Sequence, residues 1–140
     1  MRGEGDVDAL VQSVRQSLEN LGVANPNLPE FVRFLIGAKP VTVFYLTARY
    51  APGSDASTLD MLILAGRALI GVTVFTASRV AWSASDVKQC LAVSMDTQGA
   101  LAVGTVMLGN AISIRIADDL DKEGELNRFL TDVTAAAWGN

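Results

Sequence analysis

Ser83-Ala84-Ser85-Asp86-Val87-Lys88-Gln89-Cys90-Leu91-Ala92-Val93-Ser94-Met95 is the stretch whose reading decides the fold. The rest of residues 41–117 reads as one strand after another. A helix here, capped by Ser85 and carrying Val87, Cys90 and Leu91, would split those strands into two groups of hairpins. A strand here puts Leu91, Val93 and Met95 on one side and leaves the run unbroken. The strand is favoured, because Val93-Ser94-Met95 leads into the turn residues Asp96-Thr97-Gln98-Gly99.

Upstream, Pro40 introduces a strand over residues 41–50, rich in β-branched and aromatic side chains. Ala51-Pro52-Gly53-Ser54-Asp55 is its turn. A second strand covers residues 59–64, and Ala65-Gly66-Arg67 turns it into a third over 68–77, with Gly71 as a bulge or a point of close approach. A short strand around 80–83 holds Trp82. Downstream, a strand over 100–108 pairs through Gly109-Asn110 with an alternating one, in which Ile112, Ile114 and Ile116 face inward and Ser113 and Arg115 outward. Asp121 is the expected cap of a closing helix with Leu126, Phe129, Leu130, Val133 and Ala137 on one stripe. Trp138 is expected to anchor against the sheet.

The chain opens with helices. Asp6 precedes an apolar stripe of Val7, Leu10, Val11, Val14, Leu18 and Leu21, and Gly22 stops it. Pro29 opens a second short helix with Phe31, Phe34 and Leu35, ended by Gly37. The expected class is therefore α+β in one domain, residues 1–140. A helical hairpin spans 6–37, an antiparallel sheet 38–117 and a terminal amphipathic helix 121–138.

Half the residues are apolar and 19% are charged, which excludes a disordered chain. Asp60, Gly66, Arg67, Gly71 and Arg79 break the apolar stretches below the roughly 20 residues of a membrane helix. The opening MRGEGDVDAL lacks the apolar core of a signal peptide, so a cytoplasmic location is expected. Net charge is −4, which argues against a nucleic-acid partner. Between Arg33 and Lys88 six basic residues face three acids, whereas between Asp118 and Asp132 six acids face two bases. These read as ordinary solvated faces.

The chemistry is sparse. With no histidine and only Cys90, neither a zinc site nor a histidine-dependent triad is available. The acidic run Asp118-Asp119-Leu120-Asp121-Lys122-Glu123 lacks the glycine and distal glutamate of an EF-hand and reads as capping and solvation. Ser85 and Lys88 have Ser-x-x-Lys spacing, which matters only on a helix. Asp60 and Asp86 are the acids in the apolar region and read as turn or capping residues. Gly99, Gly104 and Gly109 read as turns and close packing. No metal and no cofactor is expected.

The run Met61-Leu62-Ile63-Leu64, Arg67-Ala68-Leu69-Ile70, Arg79-Val80-Ala81-Trp82 and Ser85-Asp86-Val87, closed by the helix Leu126-Asn127-Arg128-Phe129-Leu130, resembles the pleckstrin-homology (PH) family, in particular its short bacterial members. The resemblance covers residues 38–138 and rests on element order. It implies a partly open, curled sheet plugged by the terminal helix. It also implies a ligand drawn from phosphoinositides, peptides or proteins. The first hairpin loop, from Arg49 to Asp55, has one arginine where lipid-binding members cluster several cations, so a phosphoinositide is not expected. A helix over 83–95 would instead suggest a profilin-like layout.

Residues 60–65 and 100–108 are apolar on both faces, so both faces must be covered or one must meet a partner. The expected function is a non-enzymatic binding or assembly module that engages a protein partner, including a second copy of itself, in a homo-oligomer. Its candidate interface is Phe31, Phe34, Tyr45, Met61, Ile63 and Trp82. The alternative is a small-molecule binder with a pocket between the sheet and the helical hairpin, in which Arg49, Arg67 or Arg79 meets an anionic group. An enzyme is the third reading.

Overall fold

The structure is a computed structural model that describes residues 1–22, 25–75 except 51–56, 79–109 and 112–139, without the side chains of Arg49, Tyr50 and Ser57. The expected loop 51–55, the end of the third strand at 76–77 and Asn110 of the last hairpin lie outside the described residues.

Among the described residues three α-helices pack on two antiparallel sheets. The first sheet is a meander of β1 (Arg2–Glu4), β2 (Val41–Tyr50), β3 (Ser57–Ala65), β4 (Ala68–Phe75) and β5 (Arg79–Asp86). The second holds β6 (Cys90–Gln98), β7 (Leu101–Leu108) and β8 (Ser113–Asp119). The single curled sheet expected from the sequence is thus two sheets, with no closed barrel among the described residues.

The decisive stretch resolves as strand, turn and strand. A 3-10 turn at Val87–Gln89 separates β5 from β6. Asp86, rather than Ser85, caps it by accepting from the Lys88 amide at 2.9 Å. One turn is enough to break the register between β5 and β6, and that break is where one sheet becomes two.

Helix α1 (Val7–Leu21) starts as its sequence dictates: the Asp6 carboxylate accepts from the Ala9 amide at 3.0 Å. Gly22 ends it with φ of 70°, a left-handed conformation that glycine adopts without strain. Helix α2 (Leu28–Ile36) has Pro29 in its first turn and Gly37 beyond its end. The closing helix α3 (Glu123–Trp138) differs from expectation at its start. A 3-10 turn at Leu120–Lys122 precedes it, and Asp121 lies inside that turn instead of capping the helix.

The strands β2, β3 and β4 are apolar on both faces because both faces are buried. Phe44, Leu46, Leu59, Met61, Ile63, Ile70, Val72 and Val74 form one core with Leu10, Val14, Leu18, Leu28, Val32 and Ile36 of α1 and α2. The opposite face presents Val43, Tyr45, Leu62, Leu64 and Leu69 to a second core, completed by Ala102, Val106, Leu108 and Ile116 and by Leu126, Phe129, Leu130 and Val133 of α3. The amphipathic helices thus each supply one side of a three-layer stack.

Glycines in β7 and β4 differ in the room around them. Gly104 on β7 faces α3, and a Cβ there would lie 2.9 Å from Leu130 Cδ1. Gly71 pairs in regular register with Leu62 and Ser83, so it is not the bulge that was one of its two expected roles, and a Cβ there would meet only ordinary contacts. A Cβ there would lie 3.7 Å from Ile114 Cγ2 on the other sheet. Strand β1 went unseen in the sequence. Its Arg2 Nε donates to Asp132 Oδ2 of α3 at 2.8 Å, which ties the first strand to the last helix.

Candidate functional site

On the inner face of the first sheet, cross-strand registry places Tyr45, Leu62, Gly71 and Ser83 in one row, and Thr47, Asp60, Thr73 and Ala81 in the next. Directly opposed residues share a face. The first row is mostly apolar and meets Ile114 at the edge of the second sheet. The second row is polar, and over it the two sheets diverge.

That divergence opens a cleft of about 300 Å³, lined among others by Asp60, Leu62, Gly71, Thr73, Ser83 and residues 112–116. A second hollow of about 260 Å³ lies alongside, lined by Asp60, Gln98, Leu101, Val103, Arg115 and Ala117. Asp60 and Arg115 line both hollows.

The Thr73 hydroxyl donates to Asp60 Oδ1 at 2.7 Å and holds the carboxylate in place. No ion pair joins Asp60 to Arg115, and among the described residues the exposed Arg115 guanidinium has no carboxylate partner. Thr47 Oγ1, directly opposite Asp60 in its row, is buried without a hydrogen-bond partner among the described residues. A buried hydroxyl left unpaired costs about 1–3 kcal/mol. The row therefore keeps polarity that packing alone does not require.

The pocket expected between sheet and helical hairpin is not where the cleft lies. Apolar side chains of α1 and α2 fill that space completely enough that Leu10, Val14, Val32 and Ile36 are inaccessible to solvent. The cleft is instead between the two sheets.

The three candidate anion contacts do not converge. Arg67, at the β3–β4 turn, pairs with Asp86 at 2.6 Å. Arg79 lies over the Phe75 ring at 5.1 Å, at the other end of the β4–β5 hairpin. The eight residues of β4 hold these ends about 25 Å apart at ~3.3 Å per residue. The side chain of Arg49 lies outside the described residues.

The candidate interface divides. Tyr45, Met61 and Ile63 are buried inside the chain, because the helical layer and the second sheet cover both faces of β2 and β3. Phe31 is half-buried against the helical core. Phe34 and Trp82 remain exposed, at 80% and 53%. Two further expectations are corrected at the surface. Trp138 is 55% exposed where an anchor was expected, and Ile112 is exposed, since it precedes β8 and escapes its alternation.

Asp60 and Asp86 do not form a carboxylate pair. They face β4 at Thr73 and Ala68, five positions and roughly 17 Å apart. Asp86 is held below the usual carboxylate range, first by the Lys88 amide and then by Arg67. Ser85 and Lys88 do not share a helix face, because Ser85 is in β5 and Lys88 in the 3-10 turn. Among the described residues no cluster of acidic or cysteine side chains is arranged to hold a metal. No described helix is long and apolar enough to cross a membrane.

Sequence reading missed Arg115 and Thr73 as cleft residues. For Thr73 the only signal was register, which sets it beside Asp60 once the strands are aligned; Arg115 is on the other sheet, and no local signal brings it to the cleft. Comparison of the chain with protein families, with characterised proteins and with solved structures gives no match.

Proposed function

We propose that this chain is a non-enzymatic assembly module that pairs with a second copy of itself along the free edge of β5. The observation that carries the reading is the character of that edge. Among the described residues strand β5 is hydrogen-bonded to β4 on one side only, and it has eight residues. Its charges, Arg79 and Asp86, stand at its two ends, and Val80-Ala81-Trp82-Ser83-Ala84-Ser85 between them is uncharged. Free edges are normally guarded by charge, shortness or a bulge. Strand β1, the other edge of this sheet, is three residues long and carries Arg2 and Glu4. Strand β6 has a register shift between Cys90 and Ala92. Strand β5 has no such guard.

The edge is also self-complementary. Antiparallel pairing about a two-fold axis at Trp82 sets Trp82 beside its own copy. Val80 then opposes Ala84, Ala81 opposes Ser83 and Arg79 opposes Ser85 of the second copy. No like charges meet, and the tryptophan pair supplies the apolar anchor. Four strands, then three, then a helix is also an order that supports a PH-like layout, in which the two helices α1 and α2 are an addition.

Sedimentation at rising concentration tests the proposal. The chain should pass from 14.8 kDa to twice that mass, and Trp82→Lys should hold it at the smaller value. A chain that stays at the smaller mass into the millimolar range overturns the reading, as does a dimer indifferent to Trp82→Lys.

A further inference from the structure

We infer that the cleft between the sheets is a binding site for a short zwitterionic peptide with apolar side chains, whose ammonium group meets Asp60 and whose carboxylate meets Arg115. The site does not depend on the β5 edge contact, although Trp82 and Ser83 of β5 also line the cleft.

Charge sets the class. One acidic and one basic residue line the cleft: Asp60, whose carboxylate is steadied by the Thr73 hydroxyl, and the exposed Arg115, which has no carboxylate partner among the described residues. A simple anion would meet Asp60 as well as Arg115, and a simple cation the reverse. A molecule carrying both charges meets each with its opposite, in a setting where hydrogen bonds to charged groups are the strong ones. Size agrees: about 300 Å³ is at the small end of ligand sites and fits a dipeptide rather than a nucleotide. Leu62 and Ile114 give the cleft apolar walls.

The backbone favours a peptide over other zwitterions. Among the described residues strand β8 is paired with β7 on one side only, and its residues 113–116 line the cleft. An extended ligand laid there can exchange main-chain hydrogen bonds with that edge. Ser83, whose Oγ is 3.7 Å from where a Gly71 Cβ would stand, adds a hydroxyl over the floor.

The test is calorimetric titration of the full chain with Leu-Leu, with N-acetyl-Leu-Leu and with Leu-Leu amide. Leu-Leu should bind, and removing either terminal charge should weaken binding about tenfold or more. Asp60→Asn, which keeps an acceptor for Thr73, should erase the difference between Leu-Leu and its acetylated form. Arg115→Gln should erase the difference between Leu-Leu and its amide. Thermal melting of both variants shows whether the fold is kept, and Arg115 is exposed, so its variant folds as the parent does. No binding of any of the three at millimolar concentration overturns the site. Equal binding of all three, or loss on capping one end only, overturns the pairing of charges.

Discussion

The Tyr45 hydroxyl donates a 2.7 Å hydrogen bond to Asp118 Oδ2, which joins β2 in the first sheet to β8 in the second across 73 residues of sequence. Both groups are buried, and Asp118 also accepts from the Asp119 amide through its other oxygen at 2.8 Å. The Tyr45 ring lies 5.8 Å from that of Phe129 on α3, so this one side chain touches both sheets and the helix that closes them. Tyr45→Phe keeps the ring and removes the donor. It should cost about 1–3 kcal/mol in urea unfolding, because Asp118 Oδ2 loses its hydrogen-bond donor and keeps only the Met1 ammonium at 3.8 Å.

Burial, and after it the hydrogen bond to Asp118, pushes the Tyr45 hydroxyl well above the usual phenol range. The folded state therefore holds a proton that the unfolded chain releases near pH 10. The associated stability is complete below about pH 10 and drains away as pH rises beyond it. Unfolding free energies between pH 8 and 11 should fall more steeply for the parent than for Tyr45→Phe. Parallel slopes would show that Tyr45 ionises as freely in the fold as out of it.

At Gly104 the chain has no room for a side chain, since Leu130 fills the place of a Cβ. Gly104→Val should destabilise by about 1–3 kcal/mol through overpacking. Leu130→Ala in the same chain should recover part of that loss. Simple addition of the two penalties in a double-mutant cycle would mean the two sites do not touch.

Helix α2 offers an internal control. Val32 is fully buried and Phe34 points into solvent two residues later. Val32→Ala should cost about 2 kcal/mol. Phe34→Ala should stay within about 0.5 kcal/mol. Equal melting temperatures for the two variants would place the helix on its other face.

Burial pushes the Cys90 thiol above the usual range, only partly offset by its contact with the Ala92 carbonyl. At pH 8 it should react with a disulfide reagent at least about tenfold more slowly than the urea-unfolded chain. Equal rates would show the thiol open to solvent.

Much of the fold is legible in the residues themselves. Asp6, Gly22, Pro29 and Gly37 delimit two helices because caps and breakers act on their immediate neighbours. The strand from Val41 to Tyr50 is legible because its β-branched and aromatic residues favour extended backbone wherever the chain goes. The stripes of α1 and α3 are legible because 3.6-residue periodicity is a property of the helix alone. Other features depend on distant partners. Nothing near Arg2 announces β1, which exists because residues 2–4 find Val43, Phe44 and Tyr45 forty residues later. Asp121 has the right chemistry for a cap, yet the chain enters α3 through a 3-10 turn.

Local sequence determined the class, α+β with a helical hairpin, antiparallel strands and a closing helix, because propensity and periodicity are short-range effects. Tertiary structure decided that the strands divide into two sheets at Val87–Gln89 and that α1 and α2 cover the second face of β2–β4. It also decided that Asp60 and Arg115 line one cleft. Those outcomes turn on which apolar faces bury one another and on cross-strand register, and both are relations between residues far apart in the chain.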